Sequence, residues 1–263
     1  MLSTIKKIFA DNSNGGSGKA LPQTESSTLQ GRKPSQEDDF LITDVRHGMR
    51  LVFVADGVGG HGHGDFASKT VVDYFSEAFN KLTVDTDPVA FLNETVMQAA
   101  RKVLDKSIED PAYMNCGTTI SGFLVCGSDY YTINIGDSRV YLWSEDVLSR
   151  ETHDQSIVQQ LLDRGEITED EAFHHPQRNI MTSAIGQSLD LMQVDVSKKR
   201  TFKHGDIMFA FSDGVHDALT DNQIYSLISR YKETPDLANR LTEAAYNAGG
   251  KDNITAIVYR YFD

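Results

Sequence analysis

Three separate apolar runs of this chain end on the same chemistry. Residues 51–55 (LVFVA) lead straight into Asp56-Gly57, 130–135 (YYTINI) into Gly136-Asp137, and 207–211 (IMFAF) into Ser212-Asp213-Gly214. A fourth aspartate, in Asp252-Asn253, stands just before the run 254–261 (ITAIVYRY). Short runs of β-branched and aromatic residues read as strands. Each carboxylate therefore sits where a buried strand gives out, with glycine close by in three of the four to let backbone approach a ligand. One Asp-Gly pair alone reads as a turn. Four placed alike converge at one rim if the strands are neighbours. Carboxylates gathered in this way repel and raise one another's pKa unless a cation sits among them. Hard divalent ions such as magnesium or manganese take oxygen ligands of this kind. Two such ions a few ångströms apart can activate water and hold a phosphoryl group.

The remaining pattern sets the fold class. Residues 118–126 (TTISGFLVC) read as a further strand, and 139–143 and 40–43 as others. Helices are expected over 66–80, 88–108 and 235–248, with Asp87-Pro88 in the cap-then-proline order of a helix start. Helices fall between groups of strands instead of alternating with each one. That order favours antiparallel sheets with helices packed outside, ahead of a doubly wound parallel sheet. Cys126-Gly127-Ser128-Asp129, between two strand signals, reads as a hairpin turn and supports the antiparallel arrangement.

Composition narrows the classes of function. The 263 residues suit one large domain or at most two small ones, and they carry 38 acids against 25 bases, a net charge of −13. That balance argues against nucleic-acid partners, which call for a basic field. No stretch approaches the ~18 consecutive apolar residues of a membrane span. The two cysteines, Cys116 and Cys126, would lie roughly 33 Å apart if one strand joins them. A disulfide needs about 7 Å or less between its Cα atoms. Two reduced thiols in the cytosol are the expectation. At the N-terminus, MLSTIKKIFA places Leu2, Ile5, Ile8 and Phe9 on one helical stripe beside Lys6 and Lys7. Residues 11–30 are rich in Asn, Ser and Gly, so 1–30 reads as a flexible leader.

Other site chemistries find less support. His61-Gly62-His63 and His174-His175 could serve zinc, but no C-x-x-C or H-E-x-x-H spacing accompanies them. Ser156 and Ser212 lack a nucleophile-elbow context. The run 59–64 (GGHGHG) lacks the Gly-Lys-Ser/Thr ending of a P-loop.

Taken in order, the motifs resemble those of the metal-dependent protein phosphatases of the PPM, or protein phosphatase 2C, type, and most closely the compact bacterial members. The blocks are QED at 36–38, ADGVGGHGHGDFAS at 55–68, GTT at 117–119, GDSRVYLW at 136–143, THDQS at 152–156, HHPQRN at 174–179, SDGVHD at 212–217 and DN at 252–253. The resemblance runs from about residue 31 to 261. It implies an α+β fold, a four-layer α-β-β-α sandwich of two antiparallel sheets flanked by helices. The catalytic domain would span 31–263, with a mobile flap at about 150–186 tuning substrate access.

It also implies two divalent cations, Mn²⁺ or Mg²⁺. By motif position Asp56 would bridge them, the Gly57 carbonyl would ligate one, and Asp213 and Asp252 would complete the other. Glu37 and Asp38 would orient metal-bound waters as outer-shell acceptors. Asp137, Asp213 and Asp217 match the positions that hold a third ion in some members. The implied reaction is hydrolysis of phosphoserine and phosphothreonine by a water shared between the two ions, in line and without a phosphoenzyme.

Two positions depart from the family pattern. Where members usually carry an arginine that clamps the phosphate, this chain has Lys33, preceded by Arg32. Register favours Lys33, a point charge without the arginine fork. Val58 stands where eukaryotic members have a histidine proton donor, and His61 is a candidate only by the match of its pKa. The proton donor stays unassigned. Implied partners are phosphoproteins and a bacterial serine/threonine kinase that the enzyme opposes, with the chain acting as a cytoplasmic monomer. Two other readings are a pseudo-enzyme that binds without turnover and a calcium-stabilised structural domain. The first would be signalled by lost metal aspartates, and all four are present.

Overall fold

The computed structural model describes Leu21, residues 23–59 and residues 63–262. Two antiparallel sheets lie face to face with helices on both outer sides, as the four-layer expectation requires. The first sheet has the order β1 (Thr24–Leu29), β12 (Ile254–Arg260), β11 (Ile207–Phe211), β7 (Arg139–Ser144), β8 (Val147–Arg150). The second has the order β10 (Arg200–Thr201), β6 (Asp129–Ile135), β5 (Ile120–Cys126), β3 (Met49–Val58), β2 (Asp38–Ile42). Short β4 (Gly117–Thr118) pairs with β3, and β9 (Asp195–Val196) with β6. Every pairing between these strands is antiparallel, which sets aside the doubly wound alternative.

Period-two alternation builds the layers. In β3, Leu51, Phe53 and Ala55 face the core under α1 (Gly64–Phe79) and α2 (Pro88–Glu109), alongside Val71, Phe75 and Val96. Val52 and Val54 point the other way, into a core between the sheets shared with Phe123, Met208 and Ile257. On the far side, Phe209, Phe211 and Val258 pack under α6 (Asp221–Tyr231) and α7 (Leu237–Asn247). Strands with both faces buried need the near-continuous apolar runs that the sequence shows. The turn at 126–129 is a hairpin, with Cys126 opposite Asp129. Both cysteines are free. Among the described residues no helix is long and apolar enough to cross a membrane.

The expected leader over 1–30 is too long. Residues 24–29 form edge strand β1, paired along its length with β12. Its sequence, TESSTL, hides this because polar contacts made in the tertiary structure hold the strand. Glu25 makes a 2.7 Å ion pair with Arg260, both side chains being buried. Ser27 and Thr28 exchange hydroxyl hydrogen bonds with Thr242 and Thr255 at 2.8 and 2.9 Å. Residues 1–20 lie outside the described residues, and the expectation of a leader there stays as stated. Two strand boundaries also move. β3 continues through Asp56 and Gly57 to Val58, and the run 118–126 divides between β4 and β5 at Thr119.

Candidate metal and phosphate site

The carboxylates meet at one end of the sandwich because four strand ends reach the same rim. β2 and β3 place Asp38 directly opposite Asp56. Like charges so paired weaken a sheet unless something else holds them. Here the GTT segment clamps Asp56: Thr119 Oγ1 accepts from its N–H at 3.0 Å, and its carbonyl accepts from the Thr118 hydroxyl and the Thr119 N–H. Thr119 Oγ1 also bonds the Ser138 hydroxyl at 2.8 Å, tying the strand to Gly136-Asp137-Ser138. Gly57 and Gly64 are packed backbone to backbone. A Cβ on Gly57 would fall 2.4 Å from the Gly64 carbonyl oxygen and 2.5 Å from that of Glu37. No side chain fits there, so the start of α1 stays pressed against the strand that carries Asp56.

The opposite sheet brings its own acids. Asp213 opens the short helix α5 (Asp213–His216) at the end of β11, and Asp252 precedes β12. Asp38 joins the two sheets, its Oδ2 accepting from Ser212 Oγ at 2.7 Å and Thr255 Oγ1 at 2.6 Å. Asn253 staples the approach loop: its side chain accepts from the Glu37 N–H and donates to the carbonyls of Gln30 and Ser35. Neither contact has a local sequence signal, since the partners stand 174 to 223 positions apart.

The electrostatics show carboxylates under mutual strain. Burial pushes Asp56 well above the usual carboxylate range, with Asp213, Asp38, Asp137 and Asp252 adding to it. Asp213 is likewise pushed well up by burial, then by Asp217, Asp137 and Asp252. Asp137 rises to about 7 through burial, Asp154 and Asp217, and Asp38 to about 6, chiefly through burial. Buried oxygens of Glu37, Asp38 and Asp213 have no hydrogen-bond partner. Orphaned, mutually repelling carboxylate oxygens are what a hard cation would satisfy. Among the described residues no three His, Cys, Asp or Glu side chains close on a point tightly enough to hold one ion. The acids instead ring a shared space. The donor set, all oxygen, fits divalent cations and not zinc.

The flanking cations separate cleanly. Lys33 reaches the site and pairs with Asp252 at 2.8 Å. Arg32 turns away and lies over the Tyr246 ring, 5.9 Å from its centre. Asp217 sits at the edge of the cluster, paired with Arg178 of the flap at 3.2 Å. The sequence reading missed Asp154, which Arg139 grips with Nε and Nη2 at 2.7–3.1 Å. The THDQS and GDSR blocks that contain the pair were the available signal.

The described serine and histidine candidates make other contacts. Ser156 caps α3 (Ile157–Asp163), and Ser212 is committed to Asp38. His63 packs on Tyr113, ring centres 4.7 Å apart, and His174 packs on Phe173 at 5.1 Å. His61 lies outside the described residues. The segment read from the sequence as a flap, about 150–186, holds α3 and α4 (Glu169–Phe173), the latter opened by a Thr168/Glu171 capping box, followed by irregular chain.

A family profile described as protein phosphatase 2C matches residues 27–248. Protein phosphatase PhpP of Streptococcus pneumoniae is 31% identical over 227 residues, covering 86% of this chain and 92% of that protein. The crystal structure of the serine/threonine phosphatase Stp1 from Staphylococcus aureus superposes with a TM-score of 0.85 at 28% identity, covering 96% of this chain and all of that one. The catalytic domain of the serine threonine protein phosphatase PstP, solved with two manganese ions, gives a TM-score of 0.80 at 29% identity, covering 91% and 98% of the two chains.

Proposed function

Because the chain belongs to the protein phosphatase 2C family, we propose that it is a metal-dependent hydrolase of phosphoserine and phosphothreonine in proteins. The observation that carries the reading is the ring of buried carboxylates with raised pKa values and unpartnered oxygens, assembled from both sheets. Asp56, clamped by Thr118 and Thr119, would be shared by the two ions. The Gly57 carbonyl would serve one ion, and Asp213 with Asp252 the other. Glu37 and Asp38 orient water, a role that suits the free oxygens of both side chains. Asp137, Asp213 and Asp217 would hold a third ion. When bound, the pair of cations, Mn²⁺ or Mg²⁺, lowers the pKa of a shared water and neutralises charge on the phosphoryl oxygens.

The protein supplies the remaining functions. The Thr118/Thr119 clamp fixes Asp56, and the Ser212 and Thr255 hydroxyls fix Asp38, so neither carboxylate must reorganise during the reaction. Lys33 meets the substrate phosphate as a point charge. The chain works in the cytosol as a monomer, opposing a bacterial serine/threonine kinase.

The direct test is hydrolysis of a phosphothreonine peptide with manganese, magnesium, calcium or chelator. Turnover with manganese or magnesium that chelator abolishes is expected. Silence from folded protein in every metal would overturn the reading.

Lys33 and Arg32 separate in the same assay. A hydrogen bond to a charged group contributes about 1.5–3 kcal/mol, so Lys33→Met should lower kcat/KM roughly ten- to hundredfold. Arg32→Met, which removes a cation parked on Tyr246, should stay within about twofold, in line with a surface contact of under ~1 kcal/mol. Equal losses from the two variants would contradict the assignment.

A further inference from the structure

A cavity of 470 Å³ opens beside the carboxylate ring, between the flap helices α3 and α4 and the start of α6. Asp137 and Asp217 belong to both spaces, so a group bound in the cavity lies next to the phosphate site. Its walls divide by chemistry. Val158, Leu162 and Leu219 are apolar, whereas Glu169, Asp170 and Asp221 bring carboxylates.

Not all of the acidity is already balanced. Asp154 is taken by Arg139, and Asp217 by Arg178. Asp221 is shared between the Tyr141 hydroxyl, at 2.8 Å, and Arg139, at 3.7 Å. Glu169 and Asp170 are exposed on the first turn of α4 and lie in no ion pair among the described residues.

His216 supplies the independent sign of a ligand. It lines the cavity, is only 6% exposed, and leaves Nε2 without a partner. A buried ring nitrogen with no partner is a group that a ligand would satisfy. Carboxylates outside any ion pair, an apolar wall and an unpartnered buried nitrogen together call for a cationic donor on an aliphatic stem.

We propose that this cavity is a specificity subsite that takes the side chain of an arginine or lysine close to the phosphorylated residue of the substrate protein. The inference rests on the phosphatase reading and deepens it. The stem lies along Val158, Leu162 and Leu219, and the charged head meets Glu169 and Asp170 of the flap. Flap and catalytic ring thus grip the same peptide at two points, phosphate at one and basic residue at the other. No chemical step occurs in the cavity. Its effect is on which phosphoproteins are processed.

The test uses phosphothreonine peptides carrying one arginine, lysine, alanine or glutamate at each position within four residues of the phosphate. These are compared with p-nitrophenyl phosphate, which carries no basic side chain. Two exposed ion pairs should favour a basic residue at its best position by up to about thirtyfold in kcat/KM. The double variant Glu169→Gln/Asp170→Asn should reduce that preference to within about twofold while leaving aryl phosphate hydrolysis unchanged. Glu169→Lys/Asp170→Lys should turn it toward glutamate peptides, and raised salt should weaken the wild-type preference. Hydrolysis without any basic preference, or a preference that survives both variants, overturns the subsite alone. Loss of aryl phosphate and peptide turnover together, in the wild-type protein, overturns the phosphatase reading and this one with it.

Discussion

Asp213→Asn should abolish turnover and yet make the ion-free protein harder to unfold. Asp213 is buried against Asp217, Asp137, Asp252 and Asp38, and one of its oxygens has no partner. Without cations its charge is a liability, and an isosteric amide removes that charge at little packing cost. Even buried ion pairs are often replaced by neutral groups at no cost or with a gain of about 1–4 kcal/mol, and the charges that act most on Asp213 are carboxylates. At ~2–4 °C per kcal/mol for a domain of this class, Tm in chelator should rise by several degrees. With metal present, the same change removes a ligand from the proposed centre. Metal ions contribute several kcal/mol to stabilising transition-state charge, so activity should fall at least about a thousandfold. Thermal melts in chelator, paired with peptide hydrolysis in manganese, check both halves. A fall in both stability and activity would show that Asp213 is a structural hydrogen-bonding group and not a strained ligand.

The ion-free protein should also lose stability as pH rises from about 4 to about 7. Asp38 and Asp137 have folded-state pKa values of about 6 and about 7, against 3.8 when unperturbed. Between those limits the native state retains protons that the unfolded chain has released. Stability then falls with rising pH, because the unfolded state binds fewer protons than the native one. Asp56 and Asp213, pushed up in the same direction, add to the fall. Saturating manganese should remove the slope, since cations replace the protons that hold the carboxylates together. A ligand at about a thousand times its Kd adds ~4.1 kcal/mol to stability. Near pH 8 that should raise Tm by roughly 8–16 °C, at ~2–4 °C per kcal/mol. Melting curves from pH 5 to 8, in chelator and in manganese, measure this. A flat profile in chelator would mean that the acids do not share one low-dielectric space.

Much of the site was legible because it is written locally. Asp56, Asp137 and Asp213 each follow an apolar run, and Asp252 precedes one, so strand periodicity and loss of periodicity mark all four. The hairpin at 126–129 and the start of α2 at Pro88 were readable for the same reason, since their signals lie within a few residues. Strand β1 was not readable. TESSTL has no apolar alternation, and its partners Arg260, Thr242 and Thr255 come from the far end of the chain. Asp154 escaped notice because its chemistry depends on how Arg139 is aimed. Register favoured Lys33 over Arg32, but the contacts of the two side chains, Asp252 for one and the Tyr246 ring for the other, appear only in the tertiary structure.

The division has a physical cause. Hydrophobic burial is non-directional and repeats with the period of the strand or helix, so the sequence by itself determined the apolar strands and the long helices, the antiparallel class and the positions at which acids could collect. Hydrogen bonds and ion pairs are directional and short-ranged. Only the tertiary structure could decide that Asp38 is held by Ser212 and Thr255, that Asn253 fastens the loop carrying Lys33, and that the flap leaves an acidic cavity open beside the ring.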